Sequence, residues 1–264
     1  MSDYLALVSQ SGQVNTPPGS YRTIKEWIAH GLIREKSSVL EIGCTTGFCS
    51  IEIARYVGAT CHGIDLHGPS IEAARTHIDP YVADQVTFEV GDAGALPCRE
   101  PKFSHVIIGG HLPFVSPSMR RPHIEEAIRI VRPWGMIMTA LYYYREPPPL
   151  SLIESFNKEM GTHLSASGDQ GYWSRLFEGL PLTLEHESTY DLQPIDSAQL
   201  QTYLQSVKPD TRDDWQRRLE LFSENGKYLR YFVRVYRRLP SEGAMMQSPR
   251  GGIYRSTLRT STTY

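Results

Sequence analysis

Short apolar segments alternate with segments of helical periodicity from Ser38 to Tyr144, and this alternation restricts the fold more than any other feature. The apolar segments have the character of buried strands and read SSVLEIGC, ATCHGIDL, QVTFEV, FSHVIIGG and GMIMTALYYY. Between them, apolar side chains recur at helical spacing in GFCSIEIARYVG, SIEAARTHI and RPHIEEAIRIV. Because short loops join the two kinds of segment, we expect right-handed crossovers and a doubly wound, mostly parallel α/β sheet.

The pattern changes after Pro147–Pro149. Two helical segments and the strand PLTLEHESTYDL come first, then two polar helices split at Pro209, then the strand KYLRYFVRVYRR. The two added strands predict a seven-stranded sheet with a small helical lid, anchored by Trp215, inserted before its last strand. The predicted division is a helical cover at 1–36, a core at 37–195, the lid at 196–227, the last strand at 228–238 and a flexible tail at 239–264.

The charge of the chain argues against a protein that coats nucleic acid. Lysine and arginine total 27 and aspartate and glutamate total 29 among 264 residues, a net charge of -2, whereas phosphate neutralisation needs a basic surplus. No run of about 18 apolar residues occurs, so no membrane span is expected. The N-terminus lacks the basic start and apolar stretch of a secretion signal, which predicts a cytoplasmic location.

The cysteines do not form a recognisable framework. Cys44, Cys49, Cys61 and Cys98 show no C-x-x-C spacing. A zinc site or a set of disulfides is therefore not expected, no metal ligands are predicted, and reduced thiols are the simplest interpretation.

The segment VLEIGCTTG, residues 39–47, carries the strongest chemical signal. A predicted strand ends here in a turn that leads into a helix, and Gly43 would let a ligand approach the backbone closely. The dinucleotide pattern G-x-G-x-x-G fails because Thr45 and Phe48 replace its second and third glycines, and no P-loop lysine follows. Glu41 would repel a diphosphate and attract a ligand with a cationic centre, an amine and ribose hydroxyls.

These residues resemble the first motif of the class I S-adenosylmethionine-dependent methyltransferases, E/D-x-G-x-G-x-G, with Thr45 in place of the middle glycine. Four further motifs of that family follow in order: GIDL, GDA, IGGH and VRPWG, the last resembling its L-R-P-G-G turn. The resemblance covers residues 20–145 well and implies S-adenosylmethionine as the cofactor, bound by a Rossmann-like core.

The resemblance also implies roles for single residues. Asp65, at the end of the second strand, would accept hydrogen bonds from the ribose hydroxyls. Asp92, after the third strand, would accept from the adenine amino group, and the next backbone N–H would donate to the ring. The implied cofactor-binding residues are Glu41, Gly43, Cys44, Thr45, Gly47, Asp65, Leu66, Asp92, Ala93 and Gly109.

Each acid also has a purely structural interpretation. Glu41 could be satisfied by backbone N–H groups at the strand end, Asp65 could cap the following helix, and Asp92 could be a turn residue. Their joint occurrence at successive strand ends favours the ligand interpretation.

The segment TPPGSYRT, residues 16–23, resembles the H-P-G-G segment that precedes the first helix in some small-molecule methyltransferases, with Thr16 in place of the histidine. The resemblance implies that this segment covers the methionine end of the cofactor. Tyr4 and Tyr21 are candidates to cap the site, with ordinary packing as the alternative.

Methyl transfer from a sulfonium is an in-line displacement, which needs alignment and exclusion of water, and a general base only where the nucleophile loses a proton. His111, after the fourth strand, is the predicted catalytic base, with a loop histidine as the structural alternative. His67 is expected beside the ribose or adenine, and His163 is a weaker candidate for the acceptor pocket.

Aromatic side chains near the same sheet edge predict a pocket for a planar or apolar acceptor. The predicted substrate-binding residues are Phe114, Tyr142, Tyr144 and Trp173, with Phe177 beside them. For any single tyrosine, packing under a neighbouring helix is the alternative.

The leading prediction is a methyltransferase for a small-molecule acceptor, with specialised metabolism as its setting. A methyltransferase acting on RNA or protein is the first alternative. Arg120 and Arg121 keep it open, but Gly-His-Leu-Pro-Phe stands where base N-methylation needs Asn/Asp-Pro-Pro-Tyr/Phe. A non-catalytic S-adenosylmethionine-binding protein is the second alternative. No membrane or nucleic-acid partner is expected, and a homodimer stays open.

Overall fold

The computed structural model describes residues 3–12, 14–96, 99–192 and 197–240. A seven-stranded sheet of order β3-β2-β1-β4-β5-β7-β6 lies at its centre. The strands are β1 (Ser38–Ile42), β2 (Thr60–Asp65), β3 (Val86–Val90), β4 (Phe103–Ile107), β5 (Val131–Tyr144), β6 (Leu182–Asp191) and β7 (Leu229–Arg238). β1 to β5 pair in parallel, and β7 is antiparallel to both β5 and β6. The predicted mostly parallel α/β sheet is therefore confirmed.

Helices cover both faces of the sheet. They are α1 (Asp3–Gln10), α2 (Tyr21–Gly31), α3 (Phe48–Val57), α4 (Gly68–Thr76), α5 (Pro117–Ile130), α6 (Leu150–Met160), α7 (Gln170–Arg175), α8 (Ser197–Ser206) and α9 (Arg212–Gly226). Trp27 of α2, Ile53 of α3 and Ile71 of α4 belong to the core on one face. Ile124 of α5 and Trp173 of α7 belong to the core on the other. The core is thus the two-layered one that crossover connections produce.

β7 is the last described strand, and it forms the antiparallel pairs with β5 and with β6. Val233 and Val235 are buried on one face of the sheet, and Phe232 and Tyr236 on the other. Both faces are buried because β5 and β6 flank the strand and helices lie above and below it. The sequence predicted this strand, and it predicted the two helices before it, with Pro209 between them.

Two boundaries differ from the expected ones. α5 begins at Pro117, not at Arg121, because Pro117 occupies the first helical turn and Pro122 lies inside the helix. β5 begins at Val131, not at Gly135, because the VRPWG segment continues the strand through an irregular register. Trp134, which replaces a family glycine, takes the left-handed φ of +66° that a glycine would adopt there.

The helices α1, α6, α8 and α9 form a separate layer, here named the cap. Tyr4, Phe156, Leu204 and Trp215 share one apolar cluster that is distinct from the two sheet cores. Trp215 is buried, and its ring meets those of Tyr4 and Tyr203 edge-on at centroid distances of 6.2 and 5.6 Å. The cap therefore includes α1 and α6 beside the two predicted lid helices. The tail from residue 241 onward and Cys98 lie outside the described residues.

Gly47 and Gly179 offer a matched test of the packing at the start of α3. Both adopt a left-handed φ, +84° and +70°, but a Cβ on Gly47 would lie 2.4 Å from the Phe88 ring, whereas a Cβ on Gly179 would meet nothing within 4 Å. Alanine costs about 1 to 2 kcal/mol of backbone strain at either position. Overpacking against Phe88 should cost Gly47→Ala a further 1 to 3 kcal/mol, roughly. Urea denaturation of both variants measures the difference, and equal losses would contradict the close contact.

Candidate active site

The candidate site lies where the strand order reverses, between β1 and β4. These strands are neighbours in the sheet but not in the chain, and ligands of doubly wound sheets bind at such a switch point. A Cβ added to Gly43, just after β1, would lie 2.7 Å from Cβ of His111, just after β4. Gly43 has a φ of +75°, so only glycine fits this turn without strain or collision.

Two cavities meet at this point and share six wall residues: Asn15, Ile42, Gly43, Thr45, Gly110 and Phe114. We name one the acidic cavity because Asp65 and Asp92 line it, together with Leu66 and Ala93. We name the other the apolar cavity; it lies between the sheet edge and the cap. No lysine or arginine of the described residues lines either cavity.

Asp65 connects the loops after β1 and β2. One carboxylate oxygen accepts from the backbone N–H of Thr45 at 2.9 Å, and the other accepts from the N–H of His67 at 2.8 Å. Burial raises the pKa of this carboxyl group, and the backbone donors partly oppose that shift. The structural and the ligand interpretations of Asp65 therefore coexist, because each oxygen keeps a further lone pair.

Thr45 adopts the left-handed backbone conformation that suits the glycine of the family motif. Its φ is +44°, in the left-handed region. The Asn15 amide donates to the Thr45 hydroxyl at 3.3 Å, and the Asn15 N–H donates to the Thr46 hydroxyl at 2.7 Å. Contacts of the side chain thus offset the strain of a non-glycine residue in this turn.

Glu41 is buried at the end of β1 and lines the apolar cavity near the junction. One of its oxygens accepts from the N–H and the hydroxyl of Ser50 in α3, at 2.9 and 2.6 Å. Burial raises the pKa of Glu41 to about 7, and the charge of Asp65 adds to the rise. The carboxyl group therefore changes its charge near neutral pH.

His111 lines the acidic cavity and contacts a second histidine that sequence reasoning did not identify. His111 Nε2 and His123 Nδ1 lie 3.1 Å apart, and His123 projects from α5 into the same cavity. Burial, with the neighbouring His123, lowers the pKa of His111 to about 3. His111 is thus neutral at pH 7 and weakly basic.

Asp92 and His67 stand on the walls predicted for them. Asp92 accepts from the Gly94 N–H at 2.8 Å, as a turn residue does, and it also lines the acidic cavity. His67 lines the same cavity, with its Nδ1 2.8 Å from the Ser70 hydroxyl.

Three residues of the predicted cofactor set line neither cavity. Cys44 is buried, and a Cβ added to Gly63 would lie 2.9 Å from the Cys44 Cβ. Gly47 packs against Phe88, and a Cβ on Gly109 would lie 2.5 Å from the Thr139 hydroxyl. These positions shape the loops beside the cavities, and their direct contact with a ligand stays a prediction.

The predicted acceptor residues divide in the same way. Phe114 and Tyr142 line the apolar cavity, as does Tyr4. Tyr144 does not, because its buried hydroxyl donates to Asn225 at 3.1 Å. Trp173 is 1% exposed in the core under the opposite sheet face, with the Arg120 guanidinium 5.0 Å from its ring centroid.

The other candidates fall outside the site. The Phe177 ring stacks on Tyr236 at 4.8 Å, and Tyr21 is exposed, with its ring edge toward Phe48. His163 meets the cavity walls only through its backbone: its N–H donates to the Pro113 carbonyl at 2.7 Å. Thr16, Pro17 and Pro18 of the predicted cover segment line the apolar cavity, and their place over the methionine end of the cofactor stays a prediction.

Sequence reasoning missed the residues that reach the site from the cap. Phe156 and Met160 of α6 and Phe222 of α9 line the apolar cavity. Their helical spacing predicts burial but does not identify what they bury against. Asn15 had a usable signal, since it directly precedes the TPPGSYRT segment.

Arg120 is a buried structural residue, not a surface cation. It is 2% exposed, and its guanidinium donates to the carbonyls of Leu112 and His163 at 2.9 and 2.6 Å and to the Tyr172 hydroxyl at 2.6 Å. These bonds join the loop after β4 to the loop after α6. Arg120 therefore offers no contact to RNA.

The described residues contain neither a membrane-spanning helix nor a cluster of metal ligands. None of their helices has both the length and the apolar composition needed to cross a bilayer. Within the same ranges, no three His, Cys, Asp or Glu side chains are grouped as metal ligands. Cys44, Cys49 and Cys61 are buried free thiols.

Residues 39–135 match the family model described as a methyltransferase domain. The norajmaline N-methyltransferase of Rauvolfia serpentina is 27% identical over 117 residues, which are 44% of this chain and 39% of that protein. This chain thus aligns with well under half the length of that relative.

Two solved structures show the same fold. The MccD protein superposes with a TM-score of 0.73 at 24% identity, over 85% of this chain and 99% of that one. The geranyl diphosphate C-methyltransferase of Streptomyces coelicolor A3(2), solved with Mg²⁺, geranyl diphosphate and S-adenosylhomocysteine, superposes with a TM-score of 0.61 at 13% identity, over 83% and 79%.

The raised pKa of Glu41 predicts how stability depends on pH. Between the ordinary pKa of 4.5 and the raised value of about 7, the folded chain binds more protons at this site than the unfolded chain does. Stability should therefore fall as pH rises through that window. Glu41→Gln keeps an oxygen for Ser50 and removes the charge, so the variant should exceed the wild type by about 1 to 3 kcal/mol at pH 8 and match it near pH 4.5. Urea denaturation at both pH values, with the exposed Glu35→Gln as control, checks this; a pH-independent difference would contradict it.

Arg120→Ala should destabilise the protein strongly. The substitution leaves the Leu112 and His163 carbonyls unpaired in the interior, at about 1 to 3 kcal/mol each, and opens a cavity beside Trp173. Arg121→Ala, at a half-exposed neighbour, should cost about 1 kcal/mol or less. Similar losses for the two variants in thermal and chemical denaturation would refute the structural role of Arg120.

Proposed function

We propose that this chain transfers a methyl group from S-adenosylmethionine to a small-molecule acceptor, because residues 39–135 match the methyltransferase-domain model and their motifs resemble those of the class I S-adenosylmethionine-dependent family. The single observation that carries the proposal is the junction of two cavities of opposite character at the loops after β1 and β4. An acidic cavity suits a cationic nucleoside, and an apolar one suits an organic acceptor.

The residues of the acidic cavity fit the cofactor. Asp65 and Asp92 line this cavity, and in this proposal they accept hydrogen bonds from the ribose hydroxyls and from the adenine amino group, the roles that the family resemblance implies. Asp65 gives this cavity an acidic wall, and no lysine or arginine of the described lining opposes it. Glu41 adds negative charge from the adjoining apolar cavity where it is ionised, above a pH of about 7. When bound, S-adenosylmethionine supplies a methyl group on a positively charged sulfur, a centre that this field favours.

The chain's own residues align the acceptor and exclude water. Gly43 and Gly110 add no side chain to the junction, so an acceptor in the apolar cavity would have a path toward the cofactor cavity. Phe114 and Tyr142 keep water from that path. With the cofactor bound, the acceptor atom would form a bond to the methyl carbon while the carbon–sulfur bond breaks and its electron pair stays on sulfur. His111, neutral and bonded to His123, acts in this proposal as a wall of the cofactor cavity and not as the base.

A small acceptor is favoured over RNA or protein. The apolar cavity lies under the cap and has no Lys, Arg or His in its described lining, whereas a nucleic-acid site needs cations for phosphate. The norajmaline N-methyltransferase among the relatives is named for a small organic substrate, which supports specialised metabolism as the setting. A cytoplasmic location and a homodimer stay predictions.

Calorimetry with S-adenosylmethionine tests the assignment through Asp65→Ala. The variant should bind the cofactor about 10- to 100-fold more weakly, since charge-assisted hydrogen bonds contribute about 1.5 to 3 kcal/mol. Asp169→Ala is the matched control, because Asp169 also accepts from a backbone N–H, that of Tyr172, but lies away from both cavities. The control should bind the cofactor like the wild type.

Methyl-transfer assays on a broad panel of small organic acceptors complete the test. Cofactor binding with turnover of at least one acceptor supports the proposal. Cofactor binding without transfer to any of them would favour a non-catalytic binding protein, and unchanged affinity of Asp65→Ala would refute the ribose assignment.

A further inference from the structure

This inference rests on the proposed methyl transfer and concerns the chemical class of the acceptor. The walls of the apolar cavity come from Phe156 and Met160 of α6, Phe222 of α9, Ile107 of β4 and Leu141 of β5. With no Lys, Arg or His in its described lining, a carboxylate or phosphate would lose its hydration and gain no partner. An ionised acceptor group is therefore disfavoured.

Glu41 does not offer a site for a cationic acceptor either. It already accepts two hydrogen bonds from Ser50, and in the proposed function its charge faces the positive sulfur of the cofactor. A second cation beside it would compete with the cofactor for the same carboxylate.

Some of the neutral polar groups on the cavity wall are already paired. The Asn15 amide donates to Thr45, and the Thr162 hydroxyl donates to Asn157 at 2.7 Å. The hydroxyls of Tyr4 and Tyr142 make no hydrogen bond to any described residue, although both side chains line the cavity. These two phenols are donors left for a ligand, and the buried, unpaired Nε1–H of Trp27 and the Thr16 hydroxyl lie on the same wall.

Both phenol rings are held in place by aromatic neighbours. The Tyr4 ring stacks on Phe114 with centroids 6.0 Å apart. The Tyr142 ring meets the Phe222 ring edge-on at 5.6 Å and the Tyr231 ring at 6.2 Å. Fixed rings present their hydroxyls without the entropy loss that flexible side chains would suffer on binding.

The two hydroxyls stay protonated over the physiological pH range. Burial raises the pKa of Tyr4 to about 12, and burial together with the nearby Tyr4 and Tyr231 raises the pKa of Tyr142 as well. Each phenol is thus a permanent neutral donor, suited to an oxygen that accepts hydrogen bonds.

We propose that the molecule that receives the methyl group is uncharged and mainly apolar. The hydroxyls of Tyr4 and Tyr142 donate hydrogen bonds to an oxygen atom on it, such as a carbonyl oxygen. Its apolar body fills the space between the sheet edge and the cap.

Equilibrium binding to the protein saturated with S-adenosylhomocysteine tests this without relying on turnover. The probes are two scaffolds with three head groups each: acetylnaphthalene, naphthoate and naphthylmethylamine, and methyl nonyl ketone, decanoate and decylamine. At least one ketone should bind about tenfold or more tightly than both charged members of its scaffold. Tyr4→Phe and Tyr142→Phe should each weaken that ketone about three- to tenfold without changing the affinity for S-adenosylhomocysteine. Tyr144→Phe, whose hydroxyl is bonded to Asn225 outside the cavity, is the matched control and should bind the ketone normally.

The outcomes distinguish a failure of the proposed function from a failure of the proposed acceptor class. Failure of the wild type to bind S-adenosylhomocysteine would overturn the proposed function itself. Binding of S-adenosylhomocysteine with no ketone bound, or with a charged probe bound as tightly, would overturn the acceptor class alone. Unchanged ketone affinity in both phenylalanine variants would show that the two hydroxyls do not bind the ketone.

Discussion

The carboxylate of Asp65 is the interaction on which the rest of the site depends. By accepting from Thr45 and His67, it fixes the loop after β1 against the loop after β2. Glu41 does the same between β1 and α3 through Ser50. Both carboxyl groups are buried, yet neither has a lysine or arginine within ion-pair distance among the described residues. Hydrogen bonds from nearby donors make the burial of these carboxyl groups tolerable, but they do not neutralise the negative charge. A cation entering the acidic cavity would therefore offset part of the desolvation free energy of the buried Asp65 carboxylate.

The two cavities differ because two different layers build them. Loops at the carboxyl ends of parallel strands form the acidic cavity, and such loops end in backbone donors and short polar side chains. The cap forms much of the apolar cavity, and it has its own cluster around Trp215, separate from the sheet cores. Arg120 joins the layers, since its guanidinium bonds the loop after β4 and the loop after α6. A change in the cap can therefore reshape the apolar cavity while leaving the acidic cavity in place, which is how one fold can serve many chemistries.

The sequence was sufficient for the sheet and for the acids at its tips, because strand periodicity and strand-end turns are local signals. The sequence was less informative where the surroundings of a side chain come from a helix that is distant in the chain. Tyr142 and Tyr144 are two residues apart and share a face of β5, but Asn225 of α9 takes the hydroxyl of Tyr144 away from the cavity. Trp173 was predicted from its residue type, and its helix buries it under the opposite sheet face. The pairing of His111 with His123 joins a loop to a helix, and no periodicity carries that information.

The departure from the glycine pattern at Thr45 carries structural information of its own. A glycine there would give the turn its left-handed backbone without strain, but it would offer no side chain. The Thr45 hydroxyl accepts from the Asn15 amide, and the adjacent Thr46 hydroxyl accepts from the Asn15 N–H. Asn15 lines both cavities and leads directly into Thr16 and Pro17 of the cover segment. The two threonines therefore attach that segment to the cofactor loop, so the strain at Thr45 is matched by an ordered wall over the junction where the methyl group would pass.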